Sequence, residues 1–263
     1  MSTKRKITLC GFMAAALLPG LVLLGFHGRP GNSAASGSNV TPAQNASAGM
    51  VTLAFDDGYA SAYTNGLPIL DAAGLKSTQY IITGSLGQRG YMTREQVVAM
   101  QANGHEIGAH TRTHPHLSQV TPAQMKDEID GSLHDLADIG IHATSFAYPY
   151  GDYDDRVVDV VKSAGYGSAR TVSSGYDSTD ASPLLLKAKM VLPETTATNI
   201  KDWINESQAK GTWLILVFHR IDEDGNAMSA GDEMVQAAVD TIVAKKIHVV
   251  TVSQGMSILK LKP

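Results

Sequence analysis

The chain has 263 residues, of which 43% are hydrophobic, 17% charged and 6% aromatic, and its formal net charge is −4. This apolar fraction is too high, and the charge too small, for an intrinsically disordered chain. A nucleic-acid-binding protein is expected to be basic, so the isoelectric point of about 6.1 argues against a nucleic-acid partner. The single cysteine excludes an intrachain disulfide and any cysteine-based metal site, which leaves the nine histidines and 25 acidic residues as candidate ligands.

The N-terminal segment has the layout of an export signal. Three basic residues at positions 4–6 precede an uncharged, leucine-rich run over residues 7–26, and a polar stretch of small residues follows. The run also has about the length that spans a bilayer. Residues 1–27 are therefore predicted to be a signal peptide or an N-terminal membrane anchor, and residues 28–49 a flexible linker. The protein is expected to be secreted, periplasmic or tethered to the membrane at the cell surface.

Export changes the charge of the remaining chain. Removal of residues 1–48 takes away four of the 21 bases and none of the 25 acids, which leaves a formal charge of −8. The only cysteine is lost as well, so the exported part depends on core packing. About 215 residues are enough for a single well-packed domain.

Apolar runs of strand length then alternate with segments of helical spacing. In chain order we predict strand 50–55, helix 60–73, strand 76–83, helix 93–103, strand 105–109, helix 121–139, strand 144–148, helix 155–164, strand 167–172, strand 187–191, helix 199–209, strand 212–218, helix 232–245 and strand 247–250. Such alternation predicts an α/β fold with a parallel sheet and crossover helices. Seven or eight units in this length favour a (β/α) barrel, whose functional residues gather where the strands end.

Two motifs that directly follow predicted strands offer metal ligands. Asp56 and Asp57 end the first strand, where adjacent carboxylates point in different directions. His110 and His114 follow the third strand, and their four-residue spacing would place both imidazoles on one face of a helical turn. Each motif alone is more often an acidic turn or a pair of surface histidines. Together, Asp57, His110 and His114 make a two-histidine, one-carboxylate set that suits zinc or, less selectively, another divalent metal.

Two further motifs follow strands. In Tyr148-Pro149-Tyr150-Gly151, proline and glycine fix a tight turn that can aim a backbone N–H at a pocket, although an ordinary turn has the same composition. His219 follows the most apolar strand, where a partly desolvated imidazole can act as an acid or a base. A hydrogen-bonded histidine at the barrel mouth is the alternative for this position.

The order of these motifs resembles that of the polysaccharide deacetylases, which are carbohydrate esterase family 4 and carry the NodB-homology domain. Phe-Asp-Asp-Gly, His-Thr-x-x-His, Tyr-Pro-Tyr-Gly and an apolar strand ending in histidine carry this resemblance, over about residues 50–260. The resemblance implies a distorted (β/α) barrel of about seven parallel strands and assigns residues 50–263 to a deacetylase domain. It also implies that Asp57, His110 and His114 hold the metal, with Zn²⁺ as the first choice and Co²⁺, Ni²⁺ or Mn²⁺ as alternatives.

The resemblance further implies roles in catalysis. Asp56 would be the catalytic base, His219 the catalytic acid, and the backbone N–H of Tyr150 a donor to the oxyanion. The expected activity is metal-dependent removal of acetyl groups from an extracellular polysaccharide, with polymers of N-acetylglucosamine (chitin, peptidoglycan glycan or poly-N-acetylglucosamine) as first candidates. The alternatives are an O-acetyl xylan esterase, a glycan-binding protein without catalysis, and a hydrolase of a small non-sugar amide.

One position departs from the family pattern. Many members have an arginine in the third motif that pairs with the catalytic aspartate, but Ala147 occupies that place here. Arg170, near the fifth predicted strand, is a hypothetical substitute. The family's fourth motif has no clear match around residues 168–174, so no partner for His219 is predicted.

Overall fold

A computed structural model describes residues 49–222 and 227–263. The predicted export segment, the membrane tether and nearly all of the predicted linker lie outside these ranges. The strands are β1 Met50–Phe55, β2 Thr78–Ile81, β3 Glu106–Ala109, β4 Ser145–Ala147, β5 Ser168–Ser174, β6 Leu186–Met190, β7 Trp213–Phe218, β8 Arg220–Ile221, β9 Ser229–Ala230 and β10 His248–Val249. The helices are α1 Leu67–Ala72, α2 Arg94–Ala102, α3 Pro122–Ala137, α4 Asp155–Ser163, α5 Ala197–Lys210, α6 Asp232–Lys245 and α7 Val252–Leu259.

Strands β1 to β7 form a parallel barrel in which each strand neighbours the next in sequence. The barrel closes because β1 pairs with β7 along its whole length, from Met50 opposite Trp213 to Phe55 opposite Phe218. The short β10 runs parallel to the first half of β1. The prediction of a (β/α) barrel with about seven parallel strands is thereby confirmed.

The core has two layers because alternate strand residues face inward and outward. One apolar cluster lies between the strands and the helices and includes Leu53 and Phe55 of β1. The other cluster includes Ala54, Ala147 and Ala188, which are small, and the large Tyr80 and Trp213. Small residues on this inward layer leave room for large side chains from other strands.

Most predicted helices agree with the structure to within a few residues at each end. Capping boxes begin two of these helices: Thr93 and Gln96 exchange hydrogen bonds at the start of α2, and Thr121 and Gln124 do so at the start of α3. Helix α7 and the short pair β8–β9 were not predicted. Within the described ranges, none of the helices combines the length and the apolar character needed to cross a membrane.

Candidate metal and catalytic site

The predicted site residues meet at one cavity, at the end of the barrel where the parallel strands finish. Its volume is about 520 Å³, and its lining includes residues that directly follow β1, β3, β4 and β7. All six residues selected from the sequence line this cavity: Asp56, Asp57, His110, His114, Tyr150 and His219. Sequence reasoning gave no reason to select Val172 of β5 or Met190 of β6, which line it as well.

Asp57, His110 and His114 converge as metal ligands would. The Nε2 atoms of the two histidines are 3.1 Å apart, and they lie 3.4 Å and 3.5 Å from Oδ1 of Asp57. That carboxylate oxygen is buried and has no hydrogen-bond partner among the described residues. A buried acceptor left unpaired beside two imidazole nitrogens fits a divalent cation, because two neutral nitrogens and one carboxylate oxygen are ligands that zinc accepts.

Hydrogen bonding fixes the orientation of His110. Its Nδ1–H donates to the carbonyl oxygen of Ala147 at 2.7 Å, and a carbonyl can only accept. When the ring is neutral, its Nε2 therefore carries the lone pair on the side of Asp57. Such an outer partner holds the tautomer and the ring angle of a metal-binding histidine.

Burial and neighbouring charges set the protonation states of the other two ligands. Burial alone would raise the pKa of Asp57, but the approach of His110 and the nearby histidines lower it to about 2. Burial, followed by the charge of His110, lowers the pKa of His114 to about 4. At neutral pH, Asp57 is therefore ionised and His114 is neutral, as metal ligands must be.

The two histidines meet through an irregular loop, so the predicted helical turn is wrong. Residues 110–116 form no helix, and Thr111 and His114 both adopt the left-handed conformation, with φ of 65° and 61°. Thr111 Oγ1 donates to the carbonyl of His110 and accepts from the backbone N–H of His114. The four-residue spacing identified the pair, but tertiary contacts rather than helical geometry bring the rings together.

Asp56 forms an ion pair with Arg170 in the barrel interior. Nη2 of Arg170 donates to Oδ2 of Asp56 at 2.5 Å, and Arg170 is fully buried. Its guanidinium also lies over the ring of Tyr80, 5.3 Å from the centroid. Oδ1 of Asp56 is buried without a hydrogen-bond partner among the described residues. Arg170 thus fixes one carboxylate oxygen of Asp56, and the other oxygen could accept a proton.

The position of Arg170 explains how the chain tolerates Ala147. Arg170 lies within β5, and it is the register partner of Ala147 on β4. Both side chains point inward, and the alanine methyl leaves space for the guanidinium. The charge that the family pattern places on the fourth strand is therefore supplied here from the neighbouring strand.

His219 lies directly after β7, with 6% of its surface exposed. Its Nε2 is 3.8 Å from Oδ2 of Asp56. Burial lowers the pKa of His219, although the charges of Asp56 and Asp57 oppose this effect. Within the described ranges Nδ1 has no hydrogen-bond partner.

Tyr150 lies in a tight turn at the cavity edge. The turn spans Pro149–Gly151, and Tyr150 itself is left-handed, with φ of 58°. The residue is 56% exposed, and its ring stacks on that of His116 at 4.0 Å between centroids and meets the ring of His114 edge-on at 4.5 Å. His116 thus contacts Tyr150 and is not among the residues that line the cavity.

Known proteins resemble this chain in sequence and in fold. The family model described as polysaccharide deacetylase matches residues 43–169. The protein YxkH of Bacillus subtilis is 32% identical over 145 residues, which cover 54% of this chain and 52% of that protein. Chitin deacetylase 2 of Saccharomyces cerevisiae is 31% identical over 163 residues, covering 62% of this chain and 47% of the yeast protein. The chain thus spans about half the length of these curated relatives.

Solved structures show the same likeness. The Streptococcus pyogenes deacetylase PplD, solved in complex with acetate, is 28% identical with a TM-score of 0.55, and the match covers 57% of this chain and 68% of that one. The Xyl-CE4 domain of a xylanase from the hindgut metagenome of Trinervitermes trinervoides has a TM-score of 0.61 and covers 82% of this chain and 93% of that domain. At 17% identity, this second match shows the fold alone.

A closed parallel barrel with an Asp-His-His cluster at its mouth defines the class of (β/α) barrel proteins with a candidate divalent-metal site next to a buried carboxylate. Within that class, the matching family model and relatives point to one family. The chain is similar in sequence and in fold to the polysaccharide deacetylases, the carbohydrate esterase family 4.

Proposed function

We propose that this chain is a metal-dependent hydrolase that removes acetyl groups from an extracellular polysaccharide. The observation that carries the proposal is the pairing of two arrangements in one cavity. Asp57, His110 and His114 present a ligand set, and Asp56 offers one oxygen held by Arg170 and one unpaired oxygen. A metal ligand set beside an oriented, buried carboxylate is the minimum for activating water against an acetyl carbonyl.

The metal site is assigned to Asp57, His110 and His114, with zinc as the proposed ion. When bound, the ion would polarise the acetyl carbonyl and make a water molecule more acidic. The three side chains hold their places through the contacts that surround them. His110 is fixed by Ala147, and Asp57 stays ionised despite its burial.

The proton transfers are assigned to Asp56 and His219. Asp56 accepts a proton from the attacking water at its unpaired oxygen, while Arg170 keeps the carboxylate in place. The backbone N–H of Tyr150 donates to the oxyanion that forms on the acetyl oxygen. His219 then gives a proton to the leaving sugar nitrogen, without which the amine is a poor leaving group.

The proposed substrate is a polymer that contains N-acetylglucosamine, such as chitin, peptidoglycan glycan or poly-N-acetylglucosamine. The similarity to a chitin deacetylase supports this class. Aromatic pairs flank the site: Tyr59 stacks on Tyr91 at 5.0 Å between centroids, and Tyr150 stacks on His116. These surfaces suit the apolar faces of sugar rings. The export signal predicted from the sequence would bring the enzyme to such polymers outside the cytoplasm.

The test is acetate release from a panel of N-acetylated and O-acetylated glycans. Wild-type protein is expected to release acetate from N-acetylglucosamine oligomers, and Asp56→Asn should lower the rate by about 10²–10⁴-fold, the usual contribution of a general base. Asp159→Asn, at an exposed carboxylate of α4, is the matched control and should retain wild-type activity. Release from xylan alone would indicate an O-acetyl esterase. Glycan binding without any release would contradict the proposed activity.

A further inference from the structure

We propose that Glu128 and Asp135 of α3 are positioning residues that hold the loop of the two metal-binding histidines in its working shape. The proposal rests on the proposed function, because it concerns the same metal site. It goes further by assigning a role to an acidic edge of α3 that no sequence motif selected. Neither carboxylate is among the residues that line the catalytic cavity.

Glu128 binds the middle of the loop. One of its carboxylate oxygens accepts the backbone N–H groups of Arg112 and Thr113 at 2.9 Å and 2.8 Å. The other oxygen accepts the hydroxyl of Thr113 at 2.5 Å. Two successive backbone N–H groups aimed at one anion fix the local backbone conformation, because both donors must face the same point. Charge-assisted bonds of this kind are stronger than neutral ones.

Asp135 holds the side chain of the central loop residue. Arg112 donates through Nε and Nη2 to the two oxygens of Asp135, at 2.9 Å and 2.8 Å, and through Nη1 to Asp127 at 2.7 Å. The hydrogen bonds from Arg112 lower the pKa of Asp135, so this carboxylate stays ionised. A Cβ on Gly131 would lie 2.4 Å from the guanidinium carbon of Arg112. The guanidinium can lie flat on α3 only because position 131 is glycine.

The opposite side of the loop is held by the segment after β2. The backbone N–H groups of Thr83 and Gly84 donate to the carbonyls of Thr111 and Arg112, at 3.1 Å and 2.9 Å. Thr83 also donates its hydroxyl to Asp135 at 2.7 Å, which joins the two sides. Hydrogen bonds thus hold the loop on two sides, from α3 and from residues 83–84.

These hydrogen bonds account for the left-handed backbone conformation in the loop that carries His110 and His114. Thr111 and His114 are non-glycine residues in the left-handed region, a conformation that persists only where the surroundings impose it. His110 and His114 lie at either end of the gripped segment, and their Nε2 atoms are 3.1 Å apart. Removing these hydrogen bonds should therefore let the two imidazoles move apart, although no candidate metal ligand has been substituted.

The experiment measures zinc affinity by competition with a chromogenic chelator, together with the absorption spectrum of the Co²⁺-loaded protein and the thermal midpoint of the metal-free protein. Glu128→Gln keeps the shape of the side chain but removes its charge, and Gly131→Ala displaces the guanidinium without removing any functional group. Both variants are expected to bind zinc about 10–100-fold more weakly, as is usual when an outer partner of a metal ligand is lost. Their Co²⁺ spectra should also differ from that of the wild type.

Asp138→Asn, an exposed carboxylate at the end of the same helix, is the matched control and should leave zinc affinity unchanged. Gly131→Ala guards against misfolding, because alanine favours a helix more than glycine does. Zinc affinity within twofold of wild type in both variants, whatever their thermal midpoints, would overturn the positioning role and leave the proposed function intact. Failure of the wild type to bind zinc would overturn the positioning role and the proposed function together.

Discussion

Arg170 and Asp56 are both buried, and neither charge would be stable there alone. Burial of an ion pair costs desolvation on both sides, and removing one partner leaves an uncompensated charge that typically destabilises a protein by about 3–5 kcal/mol. The pair is formed across the barrel interior, between β5 and the end of β1. At the scale of the residue, stability and the proposed catalysis would thus depend on the same contact.

We predict that Arg170→Met lowers kcat/KM by about 100-fold, because a reacting group displaced by about an ångström loses this much. The same variant should lose about 3–5 kcal/mol in its free energy of unfolding. Adding Ala147→Arg to Arg170→Met should restore part of the lost kcat/KM and part of the lost free energy of unfolding. Positions 147 and 170 are register partners on neighbouring strands, and their side chains face inward. Steady-state kinetics and urea denaturation measure these effects, and a kcat/KM within twofold of wild type in Arg170→Met would refute the positioning role.

Asp177 is another buried carboxylate, and burial outweighs the neighbouring charges that act on its pKa. It is 3% exposed, and its Oδ2 accepts the backbone N–H of Lys187 at 3.0 Å. Burial raises its pKa to about 6 from 3.8, and the nearby Lys187 only partly offsets this. Its backbone N–H and carbonyl pair with Trp213 at the start of β7.

This raised pKa predicts how stability depends on pH. Between about pH 4 and pH 6 the unfolded chain has released the proton of Asp177 while the folded chain keeps it, so the free energy of unfolding falls as pH rises through this window. The fall should be about 3 kcal/mol for a shift of this size. Asp177→Asn should flatten the pH dependence by that amount in urea denaturation series at pH 4 to 7. An equal slope in both proteins would contradict the assignment.

At the scale of the element, local sequence signals were enough for the barrel and for the identity of the candidate ligands. The apolar runs gave the strands to within a few residues, since a strand buried on both faces has few polar positions. The shape of the His110–His114 loop could not be read in the same way. The left-handed conformation of Thr111 and His114 depends on contacts with α3 and with residues 83–84. These contacts come from other elements of the fold, so no local sequence pattern shows them.

Helix α7 shows a different reason for a missed element. Its start carries a capping box between Thr251 and Gln254, but its eight residues are short and include Gly255. Gly255 is required by packing, because a Cβ there would lie 2.5 Å from the Trp213 ring. The helix thus depends on a tertiary contact that no local pattern shows. The contact also places α7 against the starting end of β7.

We predict that Gly255→Ala lowers the free energy of unfolding by about 1–3 kcal/mol, the usual cost of overpacking a well-packed core. Helix propensity acts in the opposite direction, since alanine is favoured over glycine by about 1 kcal/mol. Ser257→Ala, at an exposed position of the same helix, is the control. Thermal or urea denaturation measures the difference. A Gly255→Ala protein at least as stable as the control would contradict the packing of α7 on Trp213.

At the scale of the whole molecule, the barrel joins distant parts of the sequence into one site. Asp56 and His219 are 163 positions apart, yet the pairing of β1 with β7 makes the ends of their strands neighbours. The third and fourth strands add the histidine loop and the tyrosine turn. The motifs predicted from their places after strands therefore meet because a parallel barrel collects strand ends on one side.

Asp57, His110 and His114 are proposed to hold the ion that acetate release requires. The rate of acetate release from N-acetylglucosamine oligomers, measured as zinc is titrated into metal-free protein, tests this assignment most directly. We predict that release is absent without metal, rises with added zinc and saturates near one equivalent per chain, and that His110→Ala does not recover under the same titration. Full acetate release by the metal-free protein, or by His110→Ala at the wild-type zinc requirement, would contradict it.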